Sequence, residues 1–135
     1  MIAETTREGP GVGNCGSILV VDDDPLILTM FCTILRELGY SVTEATSGAE
    51  ALDKFAATGR EIRLLVTDIV MPQMNGIQLA AEIKRQAPSV KVLYISGYAL
   101  SVLASQGYAV EQVDAFLEKP FVAAILANRV RELLT

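Results

Sequence analysis

The sequence predicts an α/β domain in which a doubly wound sheet of five parallel strands carries helices on both faces. Short apolar runs alternate with helical patterns five times in strict succession between Ser17 and Leu134, which calls for parallel pairing through right-handed crossovers. The runs at 18–21, 63–67 and 90–95 are the most continuously apolar, as strands buried on both faces are, and these three should be central. Several of the runs also stop at a polar residue. A parallel sheet brings such ends together along one edge, where open α/β folds place their sites.

Each element has its own justification. Residues 1–16 hold Gly9, Pro10, Gly11, Gly13 and Gly16 with little to bury, and read as a flexible leader ahead of a domain at 17–135. The first strand is 18–21. Asp24-Pro25 then opens a helix, Asp24 as N-cap and Pro25 at the first helical position. Its expected buried stripe is Leu26, Met30, Phe31, Ile34, Leu35 and Leu38, and Gly39 ends it. The second strand is 41–45. Ser47-Gly48-Ala49-Glu50 has the form of a capping box, starting a helix that should bury Ala51, Leu52, Phe55 and Ala56.

The third strand, 63–67, is followed by Pro72 and by Asn75-Gly76, which turn the chain away. Asn75 caps a third helix with Gln78 at its third position and Ile77, Ala80, Ala81 and Ile83 turned inward; Pro88 stops it near Ala87. After the fourth strand at 90–95, Leu100, Val102 and Leu103 suggest a short helix that Gly107-Tyr108 interrupts. Residues 115–117 form a short fifth strand. A closing helix over 121–134 offers Ile125, Val130, Leu133 and Leu134 to the core.

Composition narrows the function classes. At 135 residues the chain makes one domain, and 51% hydrophobic with 20% charged residues describes a compact protein rather than a disordered one. Sixteen acidic against 11 basic residues give a net charge of −5 with no basic cluster, which argues against a nucleic-acid surface. Cys15 and Cys32 are far apart, and with no histidine in the chain no zinc site can be completed. Cys32 falls in a helical pattern and reads as a core thiol. No signal-peptide pattern and no apolar run of ~20 residues is present, so a cytoplasmic, membrane-free protein is expected.

The polar strand ends carry the chemistry. Asp22, Asp23 and Asp24 follow the first strand, Asp68 the third, Ser96 the fourth and Lys119 the fifth. Capping accounts for Asp24. Asp22, Asp23 and Asp68 brought together would repel one another, so the cluster calls for a hard divalent cation. Mg²⁺ suits it better than a fully caged Ca²⁺ because positions remain for water and substrate. Pro120 keeps Lys119 out of a helix, so its amine can turn across the sheet edge and pair with Asp68. With the Ser96 hydroxyl these groups form an anion-transfer site in which a carboxylate attacks phosphorus to give an acyl phosphate. With no histidine of its own, the chain must receive the phosphoryl group from elsewhere.

The runs VVDDD at 20–24, TDIVMPQMNG at 67–76, ISGY at 95–98 and FLEKPF at 116–121 resemble the CheY-like receiver domains of two-component response regulators. The last two, and the Gly-rich leader, are similar to the receivers of hybrid sensor histidine kinases. The resemblance covers about 17–134 and implies a flavodoxin-like fold with strand order 2-1-3-4-5. It implies that Asp68 is the phosphoacceptor, Asp23 a direct Mg²⁺ ligand, and Asp22 a helper through water or the lysine. Val70 would lend its main-chain carbonyl to the metal, Ser96 would be the switch hydroxyl, Lys119 the phosphate-pairing lysine and Phe116 the switch aromatic.

The implied partners are a sensor histidine kinase or histidine phosphotransfer protein, a downstream effector, and a second copy in a phosphorylation-dependent homodimer. The face of the fourth helix, fifth strand and fifth helix would change on phosphorylation. No enzymatic activity is expected beyond the domain's own phosphorylation and dephosphorylation. Val70 and Tyr98, each two residues beyond a site residue, line the approach of a hydrolytic water with apolar and aromatic groups, so slow dephosphorylation is expected. Two other readings compete: a Mg²⁺-dependent phosphohydrolase with an aspartate nucleophile, and a receiver acting by protein contact without phosphorylation.

Overall fold

The structure, a computed structural model, describes residues 17–58 and 61–135; the leader expected over 1–16, with Cys15, lies outside them. Strands β1 (Ser17–Val21), β2 (Ser41–Ala45), β3 (Ile62–Asp68), β4 (Lys91–Ser96) and β5 (Phe116–Glu118) alternate with five helices. These are α1 (Pro25–Glu37), α2 (Gly48–Thr58), α3 (Gly76–Gln86), α4 (Leu100–Ser105) and α5 (Ala123–Leu134), with a 3-10 turn at Val110–Gln112 before β5. The strands lie in the order β2-β1-β3-β4-β5, all pairs parallel. This is the predicted doubly wound, flavodoxin-like sheet, and β1, β3 and β4 are its interior strands. The order reverses between β1 and β3, the point beyond whose carboxyl ends open α/β sheets place their ligands.

The near-continuous apolarity of the central strands follows from burial on both faces. Ile18, Val20, Leu64 and Val66 pack in one cluster with Phe31 and Leu35 of α1 and Leu126 and Val130 of α5. Their neighbours Leu19, Val21, Leu65 and Ile69 pack in the other with Phe55 of α2, Ile77 and Leu79 of α3, and Leu103 of α4. Alternate residues of one strand thus feed opposite layers.

The expected helix faces need correction. In α1 the buried residues are Leu28, Phe31, Cys32 and Leu35, at helical spacing, whereas Leu26 is 82%, Met30 48% and Leu38 52% exposed. This helix is apolar around much of its circumference, so periodicity admits two stripes sharing Phe31 and Leu35, and docking on the sheet selects between them. Leu79 rather than Ala81 is buried in α3, Ala56 is exposed in α2, and Leu126 replaces the exposed Ile125 in α5. Leu52, Leu133 and Leu134 are half-buried.

The caps hold the helix ends as read. Asp24 accepts the Leu26 N–H at 3.0 Å, and Asn75 and Gln78 form a full reciprocal capping box. At α2, Ser47 accepts the Glu50 N–H, but the Glu50 carboxylate turns to the N–H and hydroxyl of Thr46, one residue earlier than a capping box requires. α4 is only six residues long, and beyond it Gly107 adopts a φ of +94° that returns the chain toward β5. Among the described residues no helix is long and apolar enough to cross a membrane.

Candidate functional site

The carboxyl ends of β1, β3, β4 and β5 converge as the sequence predicted. Carboxylate oxygens of Asp22, Asp23 and Asp68 lie within 4.8 Å of one another. Asp22 and Asp68 are buried at 1% and 8% exposure, while Asp23 faces solvent. The backbone fixes them individually: the Asp22 N–H donates to Ala45 of β2 at 3.2 Å, and one Asp22 oxygen accepts the Asp24 N–H at 2.9 Å. Asp68 closes β3 opposite Ile95, and the next N–H, of Ile69, donates to the Ile95 carbonyl at 2.8 Å.

Lys119 reaches into this cluster from the end of β5, where its N–H donates to the Ser96 carbonyl at 2.8 Å. The amine lies 3.3 Å from Asp22 and 3.8 Å from Asp68. It thus makes the expected pair with Asp68 and a closer one with Asp22, to which it also hydrogen-bonds. Ser96 is fully buried, and its hydroxyl accepts the Tyr98 N–H at 3.0 Å, the local backbone bond that a loop serine commonly makes.

One ammonium cannot balance three carboxylates. Burial pushes the Asp68 carboxyl up to about 6; Lys119 opposes that rise, and Asp22 and Asp23 add to it. Burial also raises Asp22, against the pull of the Asp24 N–H and Lys119. Oxygen donors with uncompensated negative charge, one of them open to solvent, fit a hard divalent cation. Among the described residues no donor reaches the Val70 carbonyl, which keeps it available as a further oxygen ligand.

Phe116, facing Tyr94 in register, is half-buried against the cluster that contains Tyr94 and Leu103. Val70 is half-buried and Tyr98 is 51% exposed. The chain matches the model of the response regulator receiver domain over residues 18–131. It belongs to that family.

Named relatives agree with this assignment. Over 118 residues this receiver is 36% identical to the sensor kinase CckA of Brucella abortus, covering 87% of the chain but 12% of the kinase. It is 33% identical to the response regulator receiver protein CpdR of the same organism, covering 87% of the chain and 95% of CpdR. The Thermotoga maritima response regulator TrrA, crystallised with Mg²⁺ and BeF, superposes with a TM-score of 0.75 at 30% identity, covering 87% of this chain and 98% of that one. The chain thus spans a small part of one relative and nearly all of another.

Thr67 and Gly76 bound the TDIVMPQMNG run that carries the resemblance, but the sequence assigns neither of them a role of its own. Gly76 looked like a turn signal and Thr67 like ordinary strand. In the structure a Cβ on Gly76 would stand 2.1 Å from the Asp68 carbonyl oxygen, and the Thr67 hydroxyl donates to that same oxygen at 2.9 Å. No sequence rule for a strand end or a turn points to either contact.

Proposed function

We propose that this receiver domain accepts a phosphoryl group on Asp68 from a phosphohistidine of a partner kinase or phosphotransfer protein, and that the phosphorylated form presents an altered α4–β5–α5 face. The observation that carries the reading is the grouping of Asp68 with Asp22, Asp23 and Lys119 at one edge of the sheet. An Asp68 oxygen attacks phosphorus in line, the phosphorus–nitrogen bond of the donor breaks, and the imidazole takes up a proton as it leaves. Lys119 already bridges Asp22 and Asp68, so it can pair with the incoming oxygens by a short movement.

Asp22, Asp23, Asp68 and the Val70 carbonyl are the groups that would hold Mg²⁺. Its contribution when bound is charge neutralisation of the phosphoryl oxygens. The Ser96 hydroxyl, which accepts the Tyr98 N–H at rest, turns to donate its own proton to a phosphoryl oxygen, and Phe116 moves into the space it leaves. Tyr98 and Val102, 51% and 39% exposed beside this path, belong to the surface so altered, which suits an effector or a second copy.

The donor's approach is marked by apolar exposure. A cleft of about 180 Å³ beside Lys119 is lined by Ile27, Met30 and Phe31 of α1 and by Pro120 and Phe121. Leu26 and Val122 stand at 82% and 66% exposure. A protein presenting phosphohistidine must land next to Lys119, and this rim offers it an apolar seat. The receiver acts catalytically only on its own acyl phosphate, and a cytoplasmic setting goes with a kinase partner. The phosphohydrolase alternative needs further acidic ligands, and among the described residues only Asp22, Asp23 and Asp68 form such a group.

The test is intact mass after incubation with a small-molecule phosphodonor, with and without Mg²⁺, on the wild type and on Asp68→Asn. A single Mg²⁺-dependent adduct that the variant lacks is the expected result. No adduct on folded wild-type protein under any condition would leave only the phosphorylation-independent receiver.

A further inference from the structure

The last peptide of β3 is held in a way its strand position does not require. The Thr67 side chain is wholly buried, and its hydroxyl donates to the carbonyl of the following residue, Asp68, at 2.9 Å. On the other side the first residue of α3 comes flush against the same group. A Cβ on Gly76 would lie 2.1 Å from the Asp68 oxygen and 3.0 Å from the Asp68 carbonyl carbon, far inside contact distance with backbone atoms that cannot swing away. The Gly76 N–H donates in turn to the next carbonyl, that of Ile69, at 2.9 Å. Gly76 therefore meets two consecutive carbonyls of the segment that leaves Asp68.

Gly76 is itself immobilised. It follows Asn75, whose side chain and N–H are both used in the reciprocal box with Gln78, and it is the first residue of an eleven-residue helix buried through Ile77, Leu79, Ala80 and Ile83. We propose that Thr67 and Gly76 are positioning residues for phosphoryl acceptance: clamping the Asp68 carbonyl between a hydroxyl and a bare Cα fixes the direction of the Asp68 carboxylate and of the Val70 carbonyl two residues on. The need for such a clamp is physical. Pairing with β1 stops at Thr67, so beyond it the ladder holds the Asp68–Ile69 peptide from the β4 side only, through the Ile69 N–H on Ile95, and a nucleophile misplaced by about 1 Å can lose about 100-fold in rate. The proposal rests on the reading of Asp68 as acceptor.

The experiment compares wild type, Thr67→Val, Thr67→Ser and Gly76→Ala. It measures the rate of adduct formation with saturating acetyl phosphate by intact mass, Mg²⁺ affinity by titration calorimetry, and thermal midpoint without Mg²⁺ by circular dichroism. Valine keeps the branched shape and removes the hydroxyl. Thr67→Val is expected to label about tenfold more slowly than wild type at full occupancy of donor and metal. Thr67→Ser, which restores the hydroxyl, recovers most of that rate, and the thermal midpoints of the two variants do not rank with their rates. Gly76→Ala, where it folds, shows the larger loss together with weakened Mg²⁺ binding. Labelling of folded Thr67→Val at the wild-type rate, or failure of Thr67→Ser to recover, overturns the positioning role whatever Gly76→Ala does. Absence of labelling in wild type would instead overturn the acceptor reading, so the two failures are distinct.

Discussion

Removing the Asp68 charge should make the metal-free protein more stable, even though it removes the residue on which the proposed function depends. The Asp68 carboxyl is lifted from 3.8 to about 6, first by burial, with Asp22 and Asp23 adding to the rise against Lys119. Its folded-state pKa thus lies above its unfolded value. The folded protein holds this proton more tightly, so the group costs nothing below about pH 4, costs progressively more as pH rises toward 6, and bears its full cost above that. A shift of about two units at 1.36 kcal/mol each amounts to about 3 kcal/mol. Asparagine keeps the volume, is neutral throughout, and leaves Lys119 its 3.3 Å pairing with Asp22.

Allowing for an amide that finds fewer partners than water would supply, Asp68→Asn should gain roughly 1–3 kcal/mol at pH 7.5 in EDTA. The assay is urea unfolding followed by far-ultraviolet circular dichroism, since the chain has no tryptophan to report by fluorescence. The gain should vanish near pH 4. Mg²⁺ at ten times its Kd should return about 1.4 kcal/mol to the wild type and much less to the variant. A variant no more stable than wild type at pH 7.5, or a gain that persists at pH 4, would refute the account of the site as an uncompensated carboxylate cluster.

Other predictions address the remaining layers. Val70→Asn should shorten the lifetime of the phosphorylated form, followed as decay of the mass adduct after the donor is removed, because a polar side chain replaces an apolar one beside the acceptor. Leu28→Ala should cost about 2–5 kcal/mol in urea unfolding and Leu26→Ala less than about 0.5, which tests the face of α1 that the sheet selects. Asn75→Ala should cost about 1 kcal/mol by losing the α3 cap. Burial pushes the Cys32 thiol up to about 11, so in a Cys15→Ser background the native chain should take no iodoacetamide label at pH 8 and one label in urea.

The sequence by itself determined the fold class, all five strands and the polar residues at their ends. The signals involved are local: a strand buried on both faces must be apolar throughout, and Asp24-Pro25 or Asn75 with Gln78 announces a helix by its own hydrogen bonds. Repeated β–α alternation then left a parallel sheet as the arrangement that places Asp22, Asp23, Asp68, Ser96 and Lys119 on one edge. Tertiary structure alone decided which side of α1 is buried, because Leu26, Leu28, Met30 and Phe31 are all apolar and only contact with the sheet distinguishes them. It decided that Lys119 rests nearer Asp22 than Asp68, a difference of half an ångström between groups 97 and 51 residues away in the chain. It also decided that Gly76 lies against the Asp68 carbonyl, for a glycine shows in sequence only that a side chain is absent, and the atom that fills the space belongs to another element.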